Sequence, residues 1–113
     1  MSRYLSGLPA WLVQRISAVY LAAFIPLVML WWWFASPLEY AQWRAVFAHP
    51  AGVVAIGLFL VALLSHTWVG VRDIVLDYLG QRPNWCLFAL VLLGGWLLAL
   101  GIWALRILVG VWA

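Results

Sequence analysis

The chain has 113 residues, of which 69% are hydrophobic and only 8% are charged, whereas ordinary globular chains carry about 25% charged residues. A soluble domain of this size keeps much of its surface in water, so this composition excludes one and requires lipid. The net charge of +3 comes from six arginines against three acids, which is too sparse and scattered for a nucleic-acid-binding surface.

The apolar runs are long and unbroken, and this pattern decides the fold class. Only helices and closed barrels can span a bilayer, and a barrel shows alternating segments of about ten residues. We therefore predict an all-α integral membrane protein with a single domain, residues 1–113. Its three transmembrane helices are predicted at about residues 11–34, 51–76 and 85–109.

The first predicted span runs from Trp11 to Phe34 and is about 36 Å long at 1.5 Å per residue, enough for a tilted crossing. It is longer than the apolar core of a typical signal peptide. It also ends in three tryptophans and a phenylalanine, without an Ala-x-Ala cleavage pattern. We interpret it as a retained membrane anchor.

A polar loop is predicted from Ala35 to Pro50, before the second span begins. The apolar part of that span ends near Val71, and the helix is expected to continue to about Leu79. The segment from Gly80 to Asn84 predicts a break, because glycine ends helices and proline discourages their continuation. Asn84 is the expected cap of the third span.

The arginines predict how the chain is oriented. Arg3, Arg72 and Arg82 lie at one side, with Arg15 just inside the first helix, while the opposite side carries Arg44 and Arg106. The side richer in arginine faces the cytoplasm, which places the N-terminus there. Tryptophans near the span ends fit interfacial belts: Trp11, Trp31, Trp32, Trp33, Trp85 and Trp112.

Ionisable groups inside apolar spans are costly and are candidates for function. Arg15 lies about 6 Å in from Trp11, and His66 lies about 7.5 Å in from Val71. Because the two spans run in opposite directions, both side chains reach a similar depth in the cytoplasmic half. This match in depth suggests that both side chains contact one polar group between the two helices.

The helical phase of the second span adds to this pattern. At about 100° per residue, one stripe about 80° wide contains Phe59, Ala62, His66, Gly70, Asp73 and Asp77. A neutral imidazole is a common axial ligand of haem iron, and the glycine one turn from it leaves room for a flat group. A lone membrane histidine also commonly hydrogen-bonds a neighbouring helix, so both interpretations stay open. A second haem ligand would come from another chain, because His49 lies in the opposite loop.

Tyr78 and Asp77 lie at the expected cytoplasmic interface. A phenol keeps its proton at neutral pH and can donate a hydrogen bond to a quinone carbonyl. An interfacial tyrosine anchor explains the same position. Cys86, the single cysteine, excludes an intrachain disulfide and a cysteine-based metal site, and we interpret it as a helix-packing residue.

The segment from His66 to Tyr78 reads H-x-W-x-G, six further residues and then D-Y. It resembles the second helix of the small hydrophobic membrane anchor of bacterial succinate dehydrogenase. The stretch from Gln14 to Ala18 resembles the R-x-[S/T]-A pattern of that family's first helix. Length and number of spans agree too, so the resemblance covers nearly the whole chain.

The resemblance implies a role for each of several residues. His66 would be an axial ligand of haem b, with Gly70 beside it, and Arg15 would pair with a haem propionate. Tyr78 would help to hold ubiquinone. Asp77 would position Tyr78 or serve a proton path.

The resemblance also implies a setting for the chain. It would be a non-catalytic part of respiratory complex II, which serves the tricarboxylic acid cycle and electron transport. Its partners would be the flavoprotein, the iron–sulfur protein and the cytochrome b556 of that complex. Electrons from succinate oxidation would pass to ubiquinone, and the short N-terminus favours a bacterial inner membrane.

Two other functions fit three apolar helices. A haem-free structural anchor of a fumarate reductase type of complex would not need His66. A small transporter component would be expected to carry an acid near the middle of the bilayer, whereas Glu39, Asp73 and Asp77 all lie in a loop or at an interface.

Overall fold

The computed structural model describes residues 3–112, with side chains from residue 7 to residue 111. The side chains of Arg3 and Trp112, which the sequence assigns to orientation and to an interfacial belt, lie outside the described ones. The described chain forms four helices: α1 (Arg3–Ala35), α2 (Tyr40–Ala48), α3 (Pro50–Leu79) and α4 (Pro83–Trp112).

Three segments are long and apolar enough to cross a membrane, which confirms the predicted fold class. They are Gly7–Ala35, Pro50–Leu79 and Pro83–Val111, of 29, 30 and 29 residues. At 1.5 Å per residue the longest is about 45 Å, which exceeds the hydrocarbon thickness of about 30 Å. Each helix therefore extends beyond the apolar layer or tilts within it.

The predicted polar loop contains a helix that the sequence interpretation missed. Helix α2 occupies Tyr40–Ala48, and at its start the Gln42 side-chain oxygen accepts a hydrogen bond from the backbone N–H of Glu39 at 2.9 Å. This contact satisfies a backbone donor that the first helical turn leaves unpaired. The prediction of a loop over residues 35–50 was wrong, because residues 40–48 form this capped helix.

Two proline-led helix starts set the boundaries of α3 and α4. His49 caps α3, because its Nδ1 accepts a hydrogen bond from the backbone N–H of Ala51 at 3.1 Å. Helix α4 begins at Pro83, so the prediction that Asn84 caps it was wrong. Proline suits the first helical position, since its missing N–H would have had no helical partner there.

Helix α3 lies between α1 and α4, which both pack against it and do not contact each other within the described residues. Glycines on α4 allow close approach: a Cβ built on Gly101 would lie 3.1 Å from Leu64 Cδ1, and one on Gly94 would lie 3.5 Å from Trp68. Small residues serve this purpose in membrane helix packing. Helices α1, α3 and α4 thus form an open layer, and the chain as a whole, including α2, extends over 51 × 25 × 24 Å.

Candidate functional site

The face of α3 that the sequence singled out is the face that packs on α1. Phe59 stacks on Phe24 of α1, with ring centroids 4.7 Å apart. The α1–α3 interface is therefore aromatic at Phe59. The polar residues of the stripe lie further along α3, towards its C-terminal end. The opposite face of α3 packs on α4 through Leu64 and Trp68.

His66 lies in this interface and makes one hydrogen bond. Its Nδ1 is 3.1 Å from Ser17 Oγ on α1, and Ser17 is only 5% exposed. The Ser17 hydroxyl also donates to the backbone carbonyl of Gln14 at 3.1 Å. Within the described residues, Nε2 of His66 has no hydrogen-bond partner.

This arrangement separates the two ring nitrogens by role. The hydrogen bond to a neighbouring helix, which the sequence left open, is present but uses Nδ1. Metal-ligating histidines typically use one ring nitrogen for such a bond and the other for the metal. The half-buried ring therefore fits a single axial ligand. No group of three His, Cys, Asp or Glu residues lies together in the described part of the chain, and an axial imidazole needs none.

Gly70 lies one turn from His66 and faces Gln14. A Cβ built on Gly70 would lie 3.4 Å from Gln14 Nε2, so the glycine lets the Gln14 side chain lie close to the α3 backbone. Gln14 Oε1 is buried without a hydrogen-bond partner in the described structure. Buried polar atoms are normally paired, and this orphaned acceptor marks the interface beside His66 as a place for a further donor.

Arg15 lies at the height of this cluster but on another side of α1. It is exposed, and its guanidinium carbon lies 5.5 Å from the ring centroid of Trp11. Two residues in a helix turn the side chain by about 200°, which separates Arg15 from Ser17. The structure thus brings Ser17, and not Arg15, to His66, and the pairing of Arg15 with a propionate stays a prediction.

The remaining candidates lie on the last two turns of α3. Tyr78 is 84% exposed, and Asp77 is exposed too; neither has a hydrogen-bond partner among the described residues. Asp73 forms an ion pair with Arg72, whose terminal nitrogen lies 2.9 Å from the carboxylate. Tyr78 and Asp77 are therefore open to a partner at this end of the helix.

An apolar groove lies at the other end of the α1–α3 contact, and the sequence interpretation missed it. Its volume is about 610 Å³. Its lining comes from α1, α2 and α3 and includes Phe24, Trp31, Trp43, Phe47 and Phe59. Trp31 and Trp43 meet edge to face at 5.6 Å. In the sequence, the aromatic residues at helical spacing in α1 were a partial signal for this groove. The part of the lining that α2 contributes could not be predicted, because a loop was expected there.

The described helices and the polar cluster define a multi-pass membrane protein with a candidate ligand-binding histidine between two spans. The model of the succinate dehydrogenase/fumarate reductase transmembrane subunit family matches residues 1–102. The chain belongs to this family and is one of its membrane anchors. This confirms the resemblance drawn from the sequence.

A curated relative agrees with this membership. The chain is 30% identical over 77 residues to the succinate dehydrogenase hydrophobic membrane anchor subunit of Coxiella burnetii (strain RSA 493 / Nine Mile phase I). The match covers 68% of this chain and 67% of the relative. No solved structure matches the chain.

Proposed function

We propose that this chain anchors a succinate:ubiquinone oxidoreductase in a bacterial inner membrane. It would assemble with a flavoprotein, an iron–sulfur protein and a cytochrome b, and carry electrons from succinate oxidation towards ubiquinone. Family membership supports this assignment, as does the succinate dehydrogenase named for the Coxiella burnetii relative.

The observation that carries the proposal is the state of His66. Its Nδ1 is hydrogen-bonded to Ser17 at 3.1 Å, and its Nε2 has no partner in the described chain. A neutral imidazole with one free nitrogen suits haem iron, and bound haem b would supply a one-electron redox centre. His66 would hold the iron, Gly70 would let the Gln14 side chain of α1 pack beside it, and Arg15 would hold a propionate.

The second axial ligand belongs to a partner in this proposal. His49 is the other histidine of the chain, and its Nδ1 is engaged in capping α3. It precedes α3 and lies 17 residues before His66, which is about 26 Å along the helix axis. One iron cannot bind both rings, so the second imidazole would come from the cytochrome b partner.

Tyr78 and Asp77 support a quinone site at the end of α3. A quinone is lipid-soluble, so its head group must reach the membrane edge to meet a soluble electron donor. The exposed phenol of Tyr78 is a hydrogen-bond donor suited to a quinone carbonyl. Quinol formation takes up two electrons and two protons, and Asp77 would orient Tyr78 or pass a proton.

Substitution of His66 tests the proposal in the purified complex. His66→Ala should abolish the b-type signal in a reduced-minus-oxidised spectrum, while gel analysis shows all subunits assembled. His49→Asn is the matched control: asparagine still caps the helix, and the b-type signal should be unchanged.

An unaltered b-type spectrum in His66→Ala would reject the ligand assignment. An assembled wild-type complex without any haem would instead identify a haem-free anchor of the fumarate reductase type.

A further inference from the structure

The Ser17 hydroxyl contacts the Gln14 carbonyl and His66 Nδ1, and only one placement of hydrogens makes both contacts hydrogen bonds. A serine hydroxyl carries a single hydrogen. The carbonyl of Gln14, 3.1 Å away, can only accept, so it takes that hydrogen. The 3.1 Å contact between Ser17 Oγ and His66 Nδ1 is then a hydrogen bond only if Nδ1 carries a hydrogen and donates it.

We infer that Ser17 is a positioning residue that fixes His66 in the tautomer with Nδ1 protonated and with the lone pair of Nε2 free. This inference rests on the proposed haem role of His66. The reversed arrangement, with the hydroxyl donating to Nδ1, would put the hydrogen on Nε2 and block that nitrogen as a ligand. It would also leave the Ser17–Gln14 contact without a hydrogen.

The surroundings of Ser17 keep this bond in place. Ser17 is 5% exposed, so water has little access to compete for its hydroxyl. Contacts on either side hold the two helices in register: Phe24 stacks on Phe59 at 4.7 Å, and Gln14 lies against Gly70. The ring of His66 is thereby oriented from α1, whereas its Nε2 remains open for a ligand.

A bond from Nδ1–H to an oxygen also changes the electronic properties of the imidazole. It increases the basicity of the opposite nitrogen, and a more basic axial ligand stabilises ferric over ferrous iron. Ser17 therefore lowers the midpoint potential of the haem. Its removal should raise that potential and speed haem loss, with affinity falling by about 10–100-fold, as is typical for such partners.

The experiment compares Ser17→Ala with Ser17→Thr in the assembled complex. A spectroelectrochemical titration gives the midpoint potential of haem b, and transfer of haem to an acceptor protein gives its dissociation rate. Ser17→Ala should raise both, whereas Ser17→Thr, which keeps a hydroxyl, should restore wild-type values. Ser65→Ala is the matched control, because Ser65 is adjacent to His66 but bonds only carbonyls of its own helix, at 2.7 and 3.2 Å.

An unchanged potential and dissociation rate in Ser17→Ala would overturn the inference, as would equal shifts in Ser17→Ala and Ser65→Ala. If Ser17→Ala does not assemble, Ser17→Val is compared with the isosteric Ser17→Thr under the same criteria. Failure of the proposed function looks different: the b-type signal would then persist in His66→Ala, whatever the Ser17 variants show.

Discussion

At the residue scale, the polar groups of α3 fall into two sets with different surroundings. His66 is held from α1 by Ser17, whereas Tyr78, twelve residues later, is 84% exposed and has no partner in the described chain. A buried group gains a fixed orientation from its neighbours. An exposed phenol is available to bind a molecule that arrives at the membrane edge.

Tyr78→Phe tests this difference directly. Loss of the hydroxyl removes one hydrogen bond to the quinone, worth about 0.5–1.5 kcal/mol. We expect succinate–quinone activity at limiting quinone to fall by roughly 2- to 12-fold, while dye-linked succinate oxidation is retained. Tyr40→Phe, at a tyrosine that is 78% exposed at the start of α2, should leave both activities unchanged. Normal quinone turnover in Tyr78→Phe would contradict the role.

The phase of α3 could be predicted from the sequence, but its partners could not. A period of 3.6 residues was enough to place His66 and Gly70 on one face, and that face packs on α1. Which α1 residues meet it depends on the rotation of α1 about its own axis. Since α1 is apolar nearly all round, matching depths favoured Arg15, whereas the contact is made by Ser17 and Gln14.

At the element scale, the long apolar helices could be predicted from the sequence, whereas the short helix α2 and the first residue of α4 could not. Hydropathy alone identifies the three spans, because each must satisfy its backbone internally in lipid. Helix α2 was missed, since its polar residues resemble a loop and its apolar side becomes visible only against α1 and α3. Asn84 resembled a cap, but Pro83 begins the helix.

The contact between α3 and α4 gives a prediction for helix packing. Gly101→Val should destabilise the purified chain in bicelles by about 1–3 kcal/mol, because the added side chain overpacks against Leu64. Gly95→Val changes the same residue type in the same helix, where nothing lies within 4 Å of a built Cβ, and should have little effect. Unfolding by sodium dodecyl sulfate measures both variants; equal losses in Gly101→Val and Gly95→Val would show that the contact with Leu64 does not decide stability.

At the scale of the whole molecule, the open layer explains why this chain needs partners. In the three apolar spans only 6–11% of the most hydropathic segment is buried inside the structure. Lipid covers such surfaces without strong preference, since its chains are as apolar as leucine. Two polar groups need specific partners: the free Nε2 of His66 and the exposed phenol of Tyr78. In the proposed complex, a neighbouring membrane protein and its cofactor would supply these partners.

The arginine distribution supplies a prediction for the orientation of this layer. In a Cys86→Ala background, a membrane-impermeant maleimide should label Ala41→Cys in intact spheroplasts and Gln81→Cys only in inverted vesicles. Ala41 and Gln81 are both exposed; Ala41 lies in α2, before α3 begins, and Gln81 follows the end of α3. Gln81 lies between Arg72 and Arg82 in the sequence, and arginine-rich ends of membrane spans remain cytoplasmic. The opposite labelling pattern would place Tyr78 outside the cytoplasm, away from a soluble electron donor, and would exclude the proposed quinone site even if His66 binds haem.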